Sequence, residues 1–180
     1  ERSRFPVDLN LWPGGKLLPK FNTNAFFESV PDSFLDVETD AWQWEPSDDP
    51  TVEHPVVPII IPKFYLDLWN FGFAPARGMP AIGANDAMRM PIEILLGSPV
   101  SIRLEGKFVG FSQRLNAILV PDSFLQWSNA KLAPIEDRNT TSSSRLIIRT
   151  QATPKQELFD FIKIKNYENN REMPKYDGLS

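Results

Sequence analysis

The hexapeptide Val-Pro-Asp-Ser-Phe-Leu occurs twice, at residues 30–35 and 120–125, and a looser copy, Ile-Pro-Lys-Phe-Tyr-Leu, stands at 61–66. Each copy follows a strand-like run: residues 26–30, 115–120 and 56–61. Proline fixes φ and removes a backbone donor, so it cannot lie inside a helix without cost. At the first helical position that donor has no partner anyway, and Asp32 there also suits the positive end of the helix dipole. The pattern therefore predicts three strand-to-helix junctions, with the aromatic residue and the leucine packing back onto a sheet. The spacings between copies are unequal, which excludes a regular solenoid. The chain holds 17 prolines in 180 residues, so the elements between these junctions are expected to be short.

Other elements follow the same logic. Residues 92–96, 100–104 and 107–111 read as short strands, with Glu105-Gly106 as the turn between the last two. Val100, Ile102 and Leu104 fall on one face, with Ser101, Arg103 and Glu105 on the other. Residues 124–132 read as a helix. Trp12-Pro13-Gly14-Gly15-Lys16 is a turn signal. Residues 71–90, with Gly72, Pro75, Gly78, Pro80 and Gly83, read as a long loop with one helical turn near 84–88, and long structured loops are often functional. Residues 145–150 read as a strand. Thr153-Pro154-Lys155-Gln156 starts a helix with a capping box, and Leu158, Phe159, Phe161 and Ile162 form its buried stripe.

The residue inventory excludes several chemistries. There are no cysteines, so disulfides, thiolate metal sites and cysteine nucleophiles are impossible. The formal net charge is −4 and no basic block occurs, which argues against a nucleic-acid partner. No Gly-x-Ser-x-Gly elbow presents a serine, and the one histidine, His54, is expected in an exposed acidic loop. No phosphate-binding glycine loop is present. Asp36, Glu38 and Asp40 mimic the first ligand positions of a calcium loop, but Ala41 and Ser47 stand where it needs glycine and a bidentate glutamate. Those acids are read as an edge that discourages strand pairing. A carboxylate pair close in space stays a background option. No catalytic, cofactor-binding or metal residue is assigned, and no cofactor is expected. Asn139-Thr140-Thr141 is a sequon in form, read as a polar loop.

No apolar run reaches the ~20 residues that span a membrane. The start at Glu1 without a methionine or leader reads as a piece of something longer, or as a processed product. Trp42, Trp44, Phe71, Phe73, Met79, Met88 and Met90 lie in loop-like or edge segments. Such residues either cover a core or form a contact surface for a partner or an apolar ligand.

Two stretches then resemble a known family. Residues 57–75, VPIIIPKFYLDLWNFGFAP, and 106–121, GKFVGFSQRLNAILVP, are similar to the extracytoplasmic domain (the MacB-like periplasmic core) of FtsX/MacB-type ABC transporter permeases of the Bacteroidota type. So is FFESVPDSFLD at 26–36. The resemblance covers most of residues 21–167, and the first twenty match poorly. It implies an α+β fold, a mixed-sheet core with βαβ-like units and an inserted small β-rich lobe. The whole chain, 1–180, would be one extracytoplasmic domain, with a discontinuous core (about 1–90 and 112–180) and the lobe at about 91–111. It implies no catalytic residue in this domain. It further implies a place at the inner membrane of a Gram-negative bacterium, facing the periplasm, where the domain couples ATP-driven motion to export or to a periplasmic partner. The implied partners are a cytoplasmic ABC ATPase subunit, a second permease copy, and a periplasmic protein or exported substrate. The rival reading is a free-standing periplasmic carbohydrate- or ligand-binding module whose tryptophans stack on sugar.

Overall fold

The computed structural model describes residues 1–11, 25–100 and 102–132. The chain divides into two compact units, Glu1–Ser144 and Arg145–Ser180, and every described residue belongs to the first. The turn at 12–16, the strand at 145–150 and the capping-box helix therefore lie outside the described residues.

Six strands make one mixed sheet: β1 (Val7–Leu11), β2 (Phe27–Glu28), β3 (Val57–Pro62), β4 (Ile92–Leu96), β5 (Ile102–Ser112) and β6 (Ile118–Leu119), in the order β1-β4-β5-β3-β6-β2. The β1–β4, β4–β5 and β3–β6 pairs are antiparallel, and β3–β5 and β2–β6 are parallel. Bridges at Arg2↔Glu28 and Val7↔Ala25 join the two edges, so the sheet curls back on itself. Between β3 and β4 the chain passes through α1 (Lys63–Leu68), a π-helical turn (Trp69–Phe73), α2 (Ala74–Ala76) and α3 (Ala84–Arg89). The helices lead into β4, which runs antiparallel to β5, and β5 then returns parallel beside β3. A final helix, α4 (Asp122–Leu132), completes the described residues. The fold is α+β, as the resemblance implies.

All six residues of β3 are buried. A continuous β-branched run, Ile59-Ile60-Ile61, fits a strand covered on both faces. Its partners across the core are Ile92, Ile94, Leu104, Phe108, Phe27, Phe124 and Leu125. Each such side chain contributes about 1.5–3 kcal/mol when taken fully out of water. Phe124 and Leu125, from the second copy of the hexapeptide, have no exposed surface. One turn on, the buried Asn129 pins the N-terminal segment to α4. Its Nδ2 donates to Glu1 Oε1 (3.0 Å) and the Arg2 carbonyl (3.1 Å), and its Oδ1 accepts from the Arg4 amide (3.0 Å).

The three proline junctions exist, displaced by one residue from the expectation. Pro31 precedes a 3-10 turn, Asp32–Phe34, and Pro62 precedes α1, both with extended ψ (140° and 133°). Pro121 gives its carbonyl to the Leu125 amide at 3.1 Å, the first bond of α4. Proline is thus the N-cap in all three. An N-cap needs a non-helical ψ and a free carbonyl, and proline satisfies both while closing the strand before it.

One expectation gives way. Glu105-Gly106 is no turn, because β5 runs unbroken from Ile102 to Ser112. Gly106 is required by close approach instead, since a Cβ there would lie 2.8 Å from Ile94 Cδ1 and 3.1 Å from Ile59 Cδ1. The turn falls earlier, where Gly97 takes φ 91° and the Ser98–Pro99 peptide is cis. Strand β4 pairs with β1 on one side and β5 on the other, and β5 continues into its pairing with β3. Ile92, Ile94 and Leu96 carry this hairpin into the common core.

Candidate functional site

The expected loop at 71–90 is mostly helical. The π turn extends α1, with the Ala74 amide bonded to the Trp69 carbonyl five residues back. Pro75, next along, has no amide to give Phe71 and its ring crowds that carbonyl, so a wider turn fits where an α turn would clash. The buried face of this helical run carries Trp69 and Ala74. The indole of Trp69 donates to the Pro80 carbonyl (3.3 Å) and stacks on Phe73 (5.2 Å). Asn70 holds the return loop through both backbone groups of Ile82, at 2.7 and 2.9 Å.

The opposite face is uncovered. Phe71 is 83% exposed and Phe64 62%, with Tyr65 and Leu68 also exposed. Phe64, Leu68 and Phe71 follow the i, i+4, i+7 spacing that places them in one stripe. Lys63 pairs with Asp67 at 2.8 Å beside it. Of the residues expected at a contact surface, Phe71 is the fully exposed one. Phe73 is half-buried under Arg77, whose Cζ lies 3.5 Å from the ring centroid. Met79, Met88, Met90 and Trp42 are half-buried, and Met88 packs against the core. Phe64 and Leu68 escape the sequence reading, although their spacing from Pro62 was a readable signal.

Trp44 requires a correction. It is only 3% exposed and closes the core. Its ring meets Phe124 edge-on at 5.0 Å and Trp127 at 5.3 Å, and its indole donates to the Pro55 carbonyl at 2.9 Å. The Ser123 hydroxyl donates to the Trp44 carbonyl at 2.6 Å. His54, expected exposed, is half-buried and meets Trp127 edge-on at 4.8 Å. Its Nδ1 accepts from the Ser47 amide at 2.9 Å. The acids of this segment are also partly in use. Asp36 accepts from the Ser112 hydroxyl (2.6 Å) and the Gln113 and Arg114 amides (2.8 and 3.1 Å), fixing the turn after β5. Its neighbour Val37 rests on Gly110 of β5, where no side chain would fit.

A cleft of about 410 Å³ opens between this strap and the β4–β5 hairpin, lined by Glu53, His54, Pro91, Ile92, Glu93, Arg103, Leu104, Glu105 and Gly106. Glu93 takes a hydrogen bond from Asn10 Nδ2 (2.8 Å) and pairs with Arg103 (2.9 Å). These contacts, Asn10's first, outweigh partial desolvation and hold its carboxyl below the usual glutamate value. Among the described residues no group of His, Asp and Glu is arranged to hold a metal ion, and no helix is long and apolar enough to cross a membrane.

The described residues thus combine a curled sheet, an exposed aromatic helix face and an open cleft. The family model "Probable transporter periplasmic core domain" (PCD-like) matches residues 1–172, and the chain belongs to that family. It is a periplasmic domain of a transporter, and such a domain is not itself an enzyme. Comparison with curated proteins and with solved structures finds no match.

Proposed function

We propose that this domain belongs to an FtsX/MacB-type ABC permease of the inner membrane and couples ATP-driven motion of the membrane part to export or to a periplasmic partner. ATP hydrolysis then resides on a separate cytoplasmic subunit or domain. The observation that carries the contact role is the stripe of Phe64, Leu68 and Phe71, left in water on a helix anchored by Trp69 and Ala74. Large aromatic side chains left exposed in a group mark a surface that meets something, and such residues dominate interface energies. The match to a transporter periplasmic core domain supports a contact role within a transporter.

The rival reading, a sugar-binding module, needs presented tryptophans. Trp44 and Trp69 are buried and Trp42 and Trp127 half-buried, so none of the four described tryptophans is in the exposed class that a sugar-stacking platform needs. Two observations test the proposal. The parent gene should encode apolar helices of ~20 residues flanking the domain, and their absence overturns the permease reading. In the assembled transporter, Phe64→Ser with Phe71→Ser should leave ATP hydrolysis running while transport falls about ten-fold, the effect of roughly 1.4 kcal/mol of lost contact. Unchanged transport would remove this face from the coupling path.

A further inference from the structure

Strand β5 is used differently along its length. Its second half pairs with β3, starting at Val57↔Gly106. Its first half, residues 102–106, pairs with β4. On the other side of 102–105 the chain before β3 has already turned away. Among the described residues no ladder pair joins 53–56 to 102–105, and the Pro55 carbonyl is taken by the Trp44 indole instead. The cleft opens at this divergence. Glu53 and His54 form one wall and Glu93, Arg103 and Glu105 stand on the other. Gly106 has no side chain and that of Leu104 lies in the core, so both meet the cleft chiefly through backbone.

The charges select what such a cleft would take. Arg103 is matched by Glu93 at 2.9 Å, and Glu93 is held in turn by Asn10. His54 Nδ1 is occupied by the Ser47 amide. Glu53 and Glu105 are exposed and enter no ion pair among the described residues. The strap leading to the cleft, residues 36–55, holds seven acids and no lysine or arginine. A one-sided strand in a cleft favours an extended backbone, because strand addition supplies main-chain hydrogen bonds whatever the side chains are. The surplus carboxylates favour basic side chains on that backbone.

We propose that this cleft receives an extended, lysine- or arginine-bearing segment of a partner protein, laid beside residues 102–105 as an added strand. Four residues at ~3.3 Å each make a docking edge of about 13 Å. The site is separate from the aromatic helix face, and it does not depend on how the domain is coupled to ATP.

The test is fluorescence anisotropy with the whole 180-residue chain at low salt. The probes are labelled peptides of about ten residues alternating Lys with Val, Glu with Val, or Ser with Val, so that strand propensity is kept while charge changes. The Lys-Val peptide should saturate and bind at least ~10-fold more tightly than the Glu-Val peptide. Glu53→Gln with Glu105→Gln should weaken it about ten-fold, while Glu38→Gln with Asp48→Gln, on the strap outside the cleft, should change it less than about two-fold. N-methylation of alternate amides in the peptide should abolish binding, because it removes the ladder donors. Failure of the Lys-Val peptide to saturate, or equal binding of all three peptides, overturns the proposal. Equal weakening by the two double variants would mean attraction to overall charge and overturns the cleft. Undiminished binding of the N-methylated peptide overturns strand addition.

Discussion

Residues 36–55 and residues 63–76 are both free of strand structure and both carry large aromatic side chains, yet they dispose of their rings in opposite ways. The strap drives Trp44 into the core against Phe124 and Trp127 and keeps its acids outside. The helical run buries Trp69 and Ala74 and leaves Phe64, Leu68 and Phe71 in water. An irregular strap has no period, so each side chain finds its own place and one indole can plug a gap. A helix imposes a period, and a run with apolar residues all round can bury only one face of them. Charge follows the same division. Residues 36–55 hold seven acids without a lysine or arginine, whereas 63–90 holds three basic and two acidic residues. The first region presents carboxylates and the second presents rings.

Substitution of the two rings should give the widest contrast. Trp44→Ala removes a buried indole with its hydrogen bond and should lower unfolding free energy by about 3–5 kcal/mol. Phe71→Ala removes a ring that is 83% exposed and should change stability by less than about 0.5 kcal/mol. Urea denaturation of the two variants measures both. Comparable losses would mean that Phe71 is covered by something and that the division into plug and surface is wrong.

The sequence carried some of this contrast and not the rest. The proline junctions were legible because proline acts locally, and they led to β3, α1 and α4 within two residues. The helical face was legible in principle, since Pro62 sets the start and Phe64, Leu68 and Phe71 follow at helical spacing. Glycine at 72 and proline at 75 hid it, because both read as loop residues while the chain passes them with a π turn. Trp44 was not legible. Its burial depends on Phe124 and Trp127, some eighty residues away, and nothing near it in sequence marks a core. The cleft depends on β3 parting from β5 at Gly106, a tertiary register that Glu-Gly, read as a turn, obscures.

Carboxylates sharpen the comparison at smaller scale. Asp36 in the strap accepts three hydrogen bonds from the turn after β5, and bonds to a charged acceptor contribute more than neutral ones. Asp36→Ala should cost about 2–3 kcal/mol. Asp67 on the helix makes an exposed pair with Lys63, and Asp67→Ala should cost only about 0.3–0.5 kcal/mol. Added salt should shrink the second effect more than the first, since exposed pairs are screened. Equal costs in denaturant would show that the strap is no more tightly tied than the helix surface.

The smallest effect concerns the outer bend of the strap, at Asp49. Its carboxyl accepts from the Thr51 hydroxyl (2.7 Å) and the Thr51 amide (2.8 Å). The hydroxyl bond, then the amide bond, hold it below its ordinary value of 3.8, against a weaker opposing effect of desolvation. A carboxyl whose folded value is lowered stabilises the fold above the unfolded value and loses that contribution as pH falls through the folded one. The bend should therefore hold at pH 5 and loosen as pH falls through the folded Asp49 value, below about 4. A carboxyl-detected NMR titration reads this directly. Thr51→Val keeps the amide donor and removes the hydroxyl, so Asp49 should move back toward 3.8 without reaching it. A value unchanged by Thr51→Val would mean that the bend is not closed by this pair, and the strap would then be fixed by its other contacts, those of Asp36, Val37, Trp44 and His54.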